Sequence, residues 1–93
     1  MALRSSRRPA VRSALLKRDG ELCWLCGIAM DLVSMEQLWS CTIEHLLPKN
    51  APGRNRIGFL VLCHQKCNVE LDDKPIAEKV KLRDERRWIC QPL

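Results

Sequence analysis

Six cysteines, two histidines and one Glu-His pair carry the chemistry available to this chain of 93 residues. Cys23 and Cys26 flank Trp24-Leu25 and precede Gly27, and Cys63, 37 positions after Cys26, opens a second turn with His64 and Cys67. Zinc takes four soft or borderline donors in a tetrahedron, and two short turns that each present two donors supply them with little strain. The glycine behind the first pair permits the left-handed backbone that closes such a turn. The second pair can be completed in two ways, by Cys63-x3-Cys67 or by His64-x2-Cys67. The x2 spacing repeats that of the first pair and leaves Cys63 facing inward at the end of its strand. The expected structural site is therefore Cys23, Cys26, His64 and Cys67, with Cys63 as the alternative to His64.

An even number of cysteines also suits disulfides, but no apolar run follows the basic N-terminus, so no secretory signal is visible and reduced thiols are expected. A redox pair at Cys23 and Cys26 lacks the βαβ pattern that would surround it. No stretch approaches the roughly 18 apolar residues of a membrane span, and the expected location is the cytoplasm. A metal staple also answers a problem of size. A 10.7 kDa chain with only four aromatic residues, Trp24, Trp39, Phe59 and Trp88, builds a thin core. Structural Zn²⁺ contributes on the order of 10 kcal/mol to folding.

Thr42-Ile43-Glu44-His45-Leu46-Leu47-Pro48 sets a carboxylate beside an imidazole at the end of a strand, with a proline that stiffens the exit. By itself such a pair is a common surface feature. Here it lies between the two half-sites and is followed, 23 positions after His45, by Asn68. In this combination the chain resembles the HNH endonuclease family, zinc-stapled ββα-metal nucleases common in bacteria and their phages. The resemblance covers residues 11–85 through CWLCG, TIEHLLP and FLVLCHQKCN. It implies a small α+β fold built on a ββα-metal motif with flanking helices, and hydrolysis of DNA phosphodiester bonds. His45 would be the general base, and Glu44 and Asn68 would hold a catalytic Mg²⁺ or Mn²⁺. Those roles are chemically apt, because imidazole titrates near ~6.5 and hard divalent ions take oxygen donors. Aligned without gaps, Phe59 falls where the family's middle asparagine would stand. Asn55 takes that place if its loop folds back. Glu44 stands where aspartate is usual, and Leu71-Asp72-Asp73 replaces the usual ending in glycine.

The elements that must position these residues are short. Residues 1–9 read as a basic flexible arm closed by Pro9, and residues 10–93 as one domain. Helical spacing predicts a helix over 10–18, strands over 40–43 and 59–63, a loop over 48–58 and a helix from His64 to about Leu71. A last helix is expected from Pro75, capped by Asp72 or Asp73 and packed back through Trp88 and Ile89. Residues 1–20 hold six bases against one acid, whereas the remainder holds ten of each. This asymmetry suits an anionic polymer, with Arg7, Arg8 and Arg12 on the arm and Lys49, Arg54 and Arg56 on the loop as DNA contacts. Two other readings keep the fold without the reaction: a zinc-stapled DNA-binding module of weak or no activity, and a zinc protein-interaction module.

Overall fold

A computed structural model of the chain describes residues 2–90, with side chains from 9 to 88. Among the described residues there are three α-helices, α1 (Ala2–Asp19), α2 (Gln65–Leu71) and α3 (Ile76–Cys90). They surround one two-stranded antiparallel sheet of β1 (Cys41–His45) and β2 (Leu60–His64). The fold is small α+β. No helix of the described residues is long and apolar enough to cross a membrane.

The sheet is set by β2, whose five residues LVLCH are all buried. A continuous apolar run of this kind suits a strand covered on both faces. Its register pairs Cys41 with His64, Glu44 with Val61 and His45 with Leu60. The ladder therefore puts one histidine at each end of the sheet. Both strands lie one or two residues later than the sequence suggests. Phe59 ends a 3-10 turn (Ile57–Phe59) and is 36% exposed, so the apolar run that enters the core begins at Leu60.

The core is formed by Leu15, Leu25, Met30, Leu46, Leu60, Val61, Leu62 and Leu71 together with Cys23, Cys26, Cys41, Cys63 and Cys67. The aromatic rings stay at its edge, with Trp39 and Trp88 exposed. Trp88 is 74% exposed, which corrects the expectation that it packs α3 onto the body; the side chain of Ile89 lies outside the described residues. Polar straps do that work instead. Arg87 donates through Nη2 to the Trp24 carbonyl at 2.7 Å, Arg83 lies over the Trp24 ring, and Arg86 pairs with Glu70. Asp73 does not cap α3 but accepts the Lys49 amide at 2.7 Å. The Pro75 carbonyl accepts from Lys79 N, so the proline stands at the cap position rather than in the first turn.

α1 is longer than its periodicity indicates. It includes Pro9 and begins at Ala2, within the stretch read from composition as a flexible arm. The helix docks by Leu15, which is fully buried, and by Arg18, which donates to the carbonyls of Ile57 and Leu60 at 2.9 and 2.8 Å. Leu15→Ala should cost about 2–5 kcal/mol, as expected for emptying a packed leucine site, read from urea unfolding of the metal-loaded protein. A loss below about 1 kcal/mol would mean that α1 is not held on the body through this contact.

Candidate functional site

The two half-sites come together at the end of β2. Residues 21–30 form a tight reversal in which Cys23 N donates to Ile28 O and Gly27 N to Cys23 O, both at 2.9 Å. Gly27 has φ +76°, the left-handed value that a side chain would strain. Trp24 N donates to Leu62 O at 2.9 Å, which fastens this turn to β2. On the other side His64 ends β2 and precedes α2, so Cys67 falls in the first helical turn, three residues on. The amides that open α2 are satisfied by the intervening loop, Gln65 N by Ser40 O and Lys66 N by Leu38 O.

The result is a buried Cys3His cluster of Cys23, Cys26, His64 and Cys67, whose donor atoms all lie within 4.8 Å of one another. His64 Nδ1 is 3.4 Å from Cys26 Sγ and 3.8 Å from Cys67 Sγ. A tetrahedral ion with bonds of about 2.3 Å to sulfur and about 2.0 Å to nitrogen places such donors roughly 3.5 Å apart, so the set fits zinc. His64 Nε2 faces the Ala29 carbonyl at 3.0 Å, which assigns the proton to Nε2 and turns the Nδ1 lone pair toward the sulfurs. The His64 and Trp39 rings meet in a T-shaped contact, and the Lys66 ammonium lies over the same indole. Of the two completions left open by spacing, the structure brings His64 and not Cys63 into the donor set.

Cys63 and Cys41 remain buried beside the cluster. Hydrogen bonds from the Cys63 and Cys67 thiols, helped by the Cys26 and His64 amides, hold the Cys23 thiol far below its ordinary range. The same interaction with Cys23, and burial after it, push Cys63 and Cys67 far up. Burial likewise raises Cys41. One negative charge is thus easily formed in the cluster and further ones are opposed, which a divalent ion at the centre would reverse.

The Glu-His pair lies at the other end of the strands. Glu44, His45 and Asn68 line one cleft of about 500 Å³ together with Lys49, Arg54, Asp72 and Asp73. Asn68 directly follows Cys67, and its Nδ2 donates to Thr42 Oγ1 at 3.1 Å and to Ile43 O at 3.0 Å. Both amide protons are spent, and Oδ1 is the atom it can offer a ligand. Asp72 closes α2 with φ 49°, a left-handed residue where glycine would be unstrained.

Asn55 is brought to His45. The loop over 48–58 folds back so that His45 Nε2 and Asn55 Oδ1 are 3.1 Å apart, while Phe59 is the residue after which β2 begins. An oxygen acceptor at this distance assigns the proton to Nε2. Glu44 is 4% exposed, and burial pushes its carboxyl above the ordinary value against the opposing pull of Lys79. Lys79, on α3, is a site residue that sequence reasoning did not find. Its ammonium lies 3.2 Å from Glu44 Oε2 and donates to the His45 carbonyl at 2.6 Å. The approach to Oε2 is an ion pair out of hydrogen-bonding line, and Oε2 makes no hydrogen bond among the described residues. A lysine at i, i+3 from Ile76 on an amphipathic helix carries no mark of this role in the sequence.

The surface bases divide. Lys49 and Arg54 line the cleft, and Arg54 Nε is buried without a hydrogen-bond partner. Arg56 stands exposed on the same loop. Arg12 is half-buried and its Nη2 lies 3.4 Å from Leu32 O, on the insert between the half-sites. The side chains of Arg7 and Arg8 lie outside the described residues. Compared with family models, characterised proteins and solved structures, the chain finds no match.

Zinc analysis of the purified protein should give one equivalent per chain. Cys23→Ser and His64→Ala should lose the metal and the fold with it, whereas Cys63→Ala and Cys41→Ser should keep one equivalent. Retention of full zinc by His64→Ala, or two tightly held equivalents in the unaltered protein, would contradict the assignment.

Proposed function

We propose that the chain is a metal-dependent endonuclease of the HNH type that hydrolyses phosphodiester bonds of DNA, with zinc in the Cys3His cluster as its structural metal. The observation that carries this reading is the meeting of Glu44, His45 and Asn68 in one cleft edged by Lys49 and Arg54, with Asn55 on the His45 ring. With its Nε2 proton directed at Asn55, His45 keeps its basic lone pair on Nδ1 and removes a proton there from the attacking water. The new bond joins the water oxygen to phosphorus, the bond from phosphorus to the 3′ oxygen breaks, and solvent returns a proton to the leaving oxygen. Held by oxygens of Glu44 and Asn68, Mg²⁺ or Mn²⁺ would neutralise charge on the phosphate and the leaving oxygen. Glu44 Oε2, without a hydrogen bond, and Asn68 Oδ1 are donors suited to such an ion. Arg54 and Lys49 would hold the flanking phosphates and so position the strand without reading bases.

A DNA-binding module without useful hydrolysis is the second reading. It is favoured by the Lys79 ammonium, which already neutralises Glu44. Plasmid nicking separates the two. The first reading expects relaxed circles in Mg²⁺ or Mn²⁺, none after chelation of the catalytic ion, and loss of at least about 10²-fold in His45→Ala with zinc retained. Asn55→Ala should lower the rate by a smaller factor. Cleavage-free binding by the unaltered protein in every divalent ion would leave only the binding module.

On either reading Arg54→Ala should weaken duplex binding at all sequences alike and reduce the salt slope by about 1. Binding that ignores salt would dismiss the phosphate role of the loop. Because burial raises the Glu44 carboxyl, the ionised form that can hold a divalent ion is lost at a higher pH than for an exposed glutamate. Mn²⁺ binding should accordingly fall away on acidification before the ordinary carboxylate range near ~4.3 is reached. An unshifted midpoint would show that Glu44 is not the ligand.

A further inference from the structure

Among the described residues Lys79 is the largest fully buried side chain, at 1% exposure, and it lies beside the Glu-His pair to which the chemistry is assigned. Its Nζ is 2.6 Å from the His45 carbonyl and 3.2 Å from Glu44 Oε2, so one ammonium touches both members of the Glu-His pair. A lysine is rarely buried so completely unless its charge is answered, and Glu44 is its only ion-pair partner among the described residues. The pair is long-range, since α3 begins at Ile76 and reaches back to the end of β1. The helix that carries it is held by Arg86 on Glu70 and by Arg87 on the Trp24 carbonyl.

Glu44 brings a single negative charge, with the Arg54 guanidinium adding to the positive field around it. A divalent ion on the same carboxylate would stand within a few ångströms of the Lys79 ammonium, in a site where water does little to screen the repulsion. We infer that Lys79 is a positioning residue that holds the Glu-His pair in place through its charge, and that a divalent cation reaches Glu44 only in competition with it. This rests on the nuclease reading for the identity of the cation site. It goes beyond that reading in assigning α3 control over metal affinity. The ion should bind weakly and loosen Lys79 from Glu44, which leaves the amine open to reagent.

The test uses the zinc-loaded 93-residue chain and Mn²⁺ alone as the probe, counted by the paramagnetic resonance signal of the unbound ion. Lys79→Met should bind Mn²⁺ about tenfold or more tightly than the unaltered protein, whereas Lys79→Arg, which keeps the charge, should stay close to it. Equal or weaker binding by Lys79→Met, in a protein that still cleaves and still binds Mn²⁺, overturns the inference and leaves the nuclease reading standing. Absence of Mn²⁺ binding and of cleavage in every form overturns the reading itself. Because Lys79→Met strands a buried carboxylate and can fail to fold, a second measurement uses the unaltered chain. Reductive methylation read by mass spectrometry should spare Lys79 without added ion and modify it when millimolar Mg²⁺ is present. Protection of Lys79 that persists at saturating Mg²⁺ overturns the competition.

Discussion

Three sulfurs and one imidazole nitrogen gathered within 4.8 Å, all buried, are the constraint on which the other parts of this molecule depend. Thiols at that spacing are poor neighbours without a cation. The first to ionise is stabilised by its partners' S–H groups, and each later ionisation meets a charge already present. A divalent ion would remove that conflict and tie residues 23–26 to residues 64–67. The surrounding hydrogen bonds are aligned for it. The His64 amide points at Cys23 Sγ at 3.4 Å and the far ring nitrogen of His64 is turned to Ala29.

From that point the geometry of the cleft follows over a short distance. β1 and β2 are five residues each, about 16 Å long. One end of the ladder is the Cys41–His64 pair at the cluster, and the other is His45–Leu60 at the cleft. α2 turns back along the sheet immediately after His64 and Cys67, which carries Asn68 to Thr42 and Ile43, next to Glu44. An error in placing Cys67 is therefore an error in placing Asn68. The cluster and the cleft are separate in chemistry but share one strand and one helical turn.

The charged side chains have structural duties that composition does not show. Arg18, Arg83, Arg86 and Arg87 hold α1 and α3 on the body through carbonyls, a ring and a carboxylate. Such straps substitute for the aromatic packing that the chain lacks, and they remove those bases from the pool available to an anionic partner. Toward the cleft stand Lys49 and Arg54, on a loop that also delivers Asn55. On the proposed function, phosphate contact and support of His45 would both fall to this loop.

Local patterns were legible from the order of residues alone. Two turns with x2 spacing, a buried run ahead of the second, the Glu-His pair and the asparagine after Cys67 each depend on neighbours within a few positions, where backbone preferences and ligand geometry act directly. The helix boundaries followed the same rule where periodicity was clean, and failed at α1, where Pro9 reads as an arm's end but lies inside a helix. Two features belonged to the tertiary structure only: the return of Asn55 to His45, and Lys79 beneath Glu44. Each is a meeting of side chains at least ten positions apart, decided by strand register and by which face of α3 is turned inward. Spacing cannot encode that, because a one-residue slip in register would leave every local motif intact and send each of these groups elsewhere.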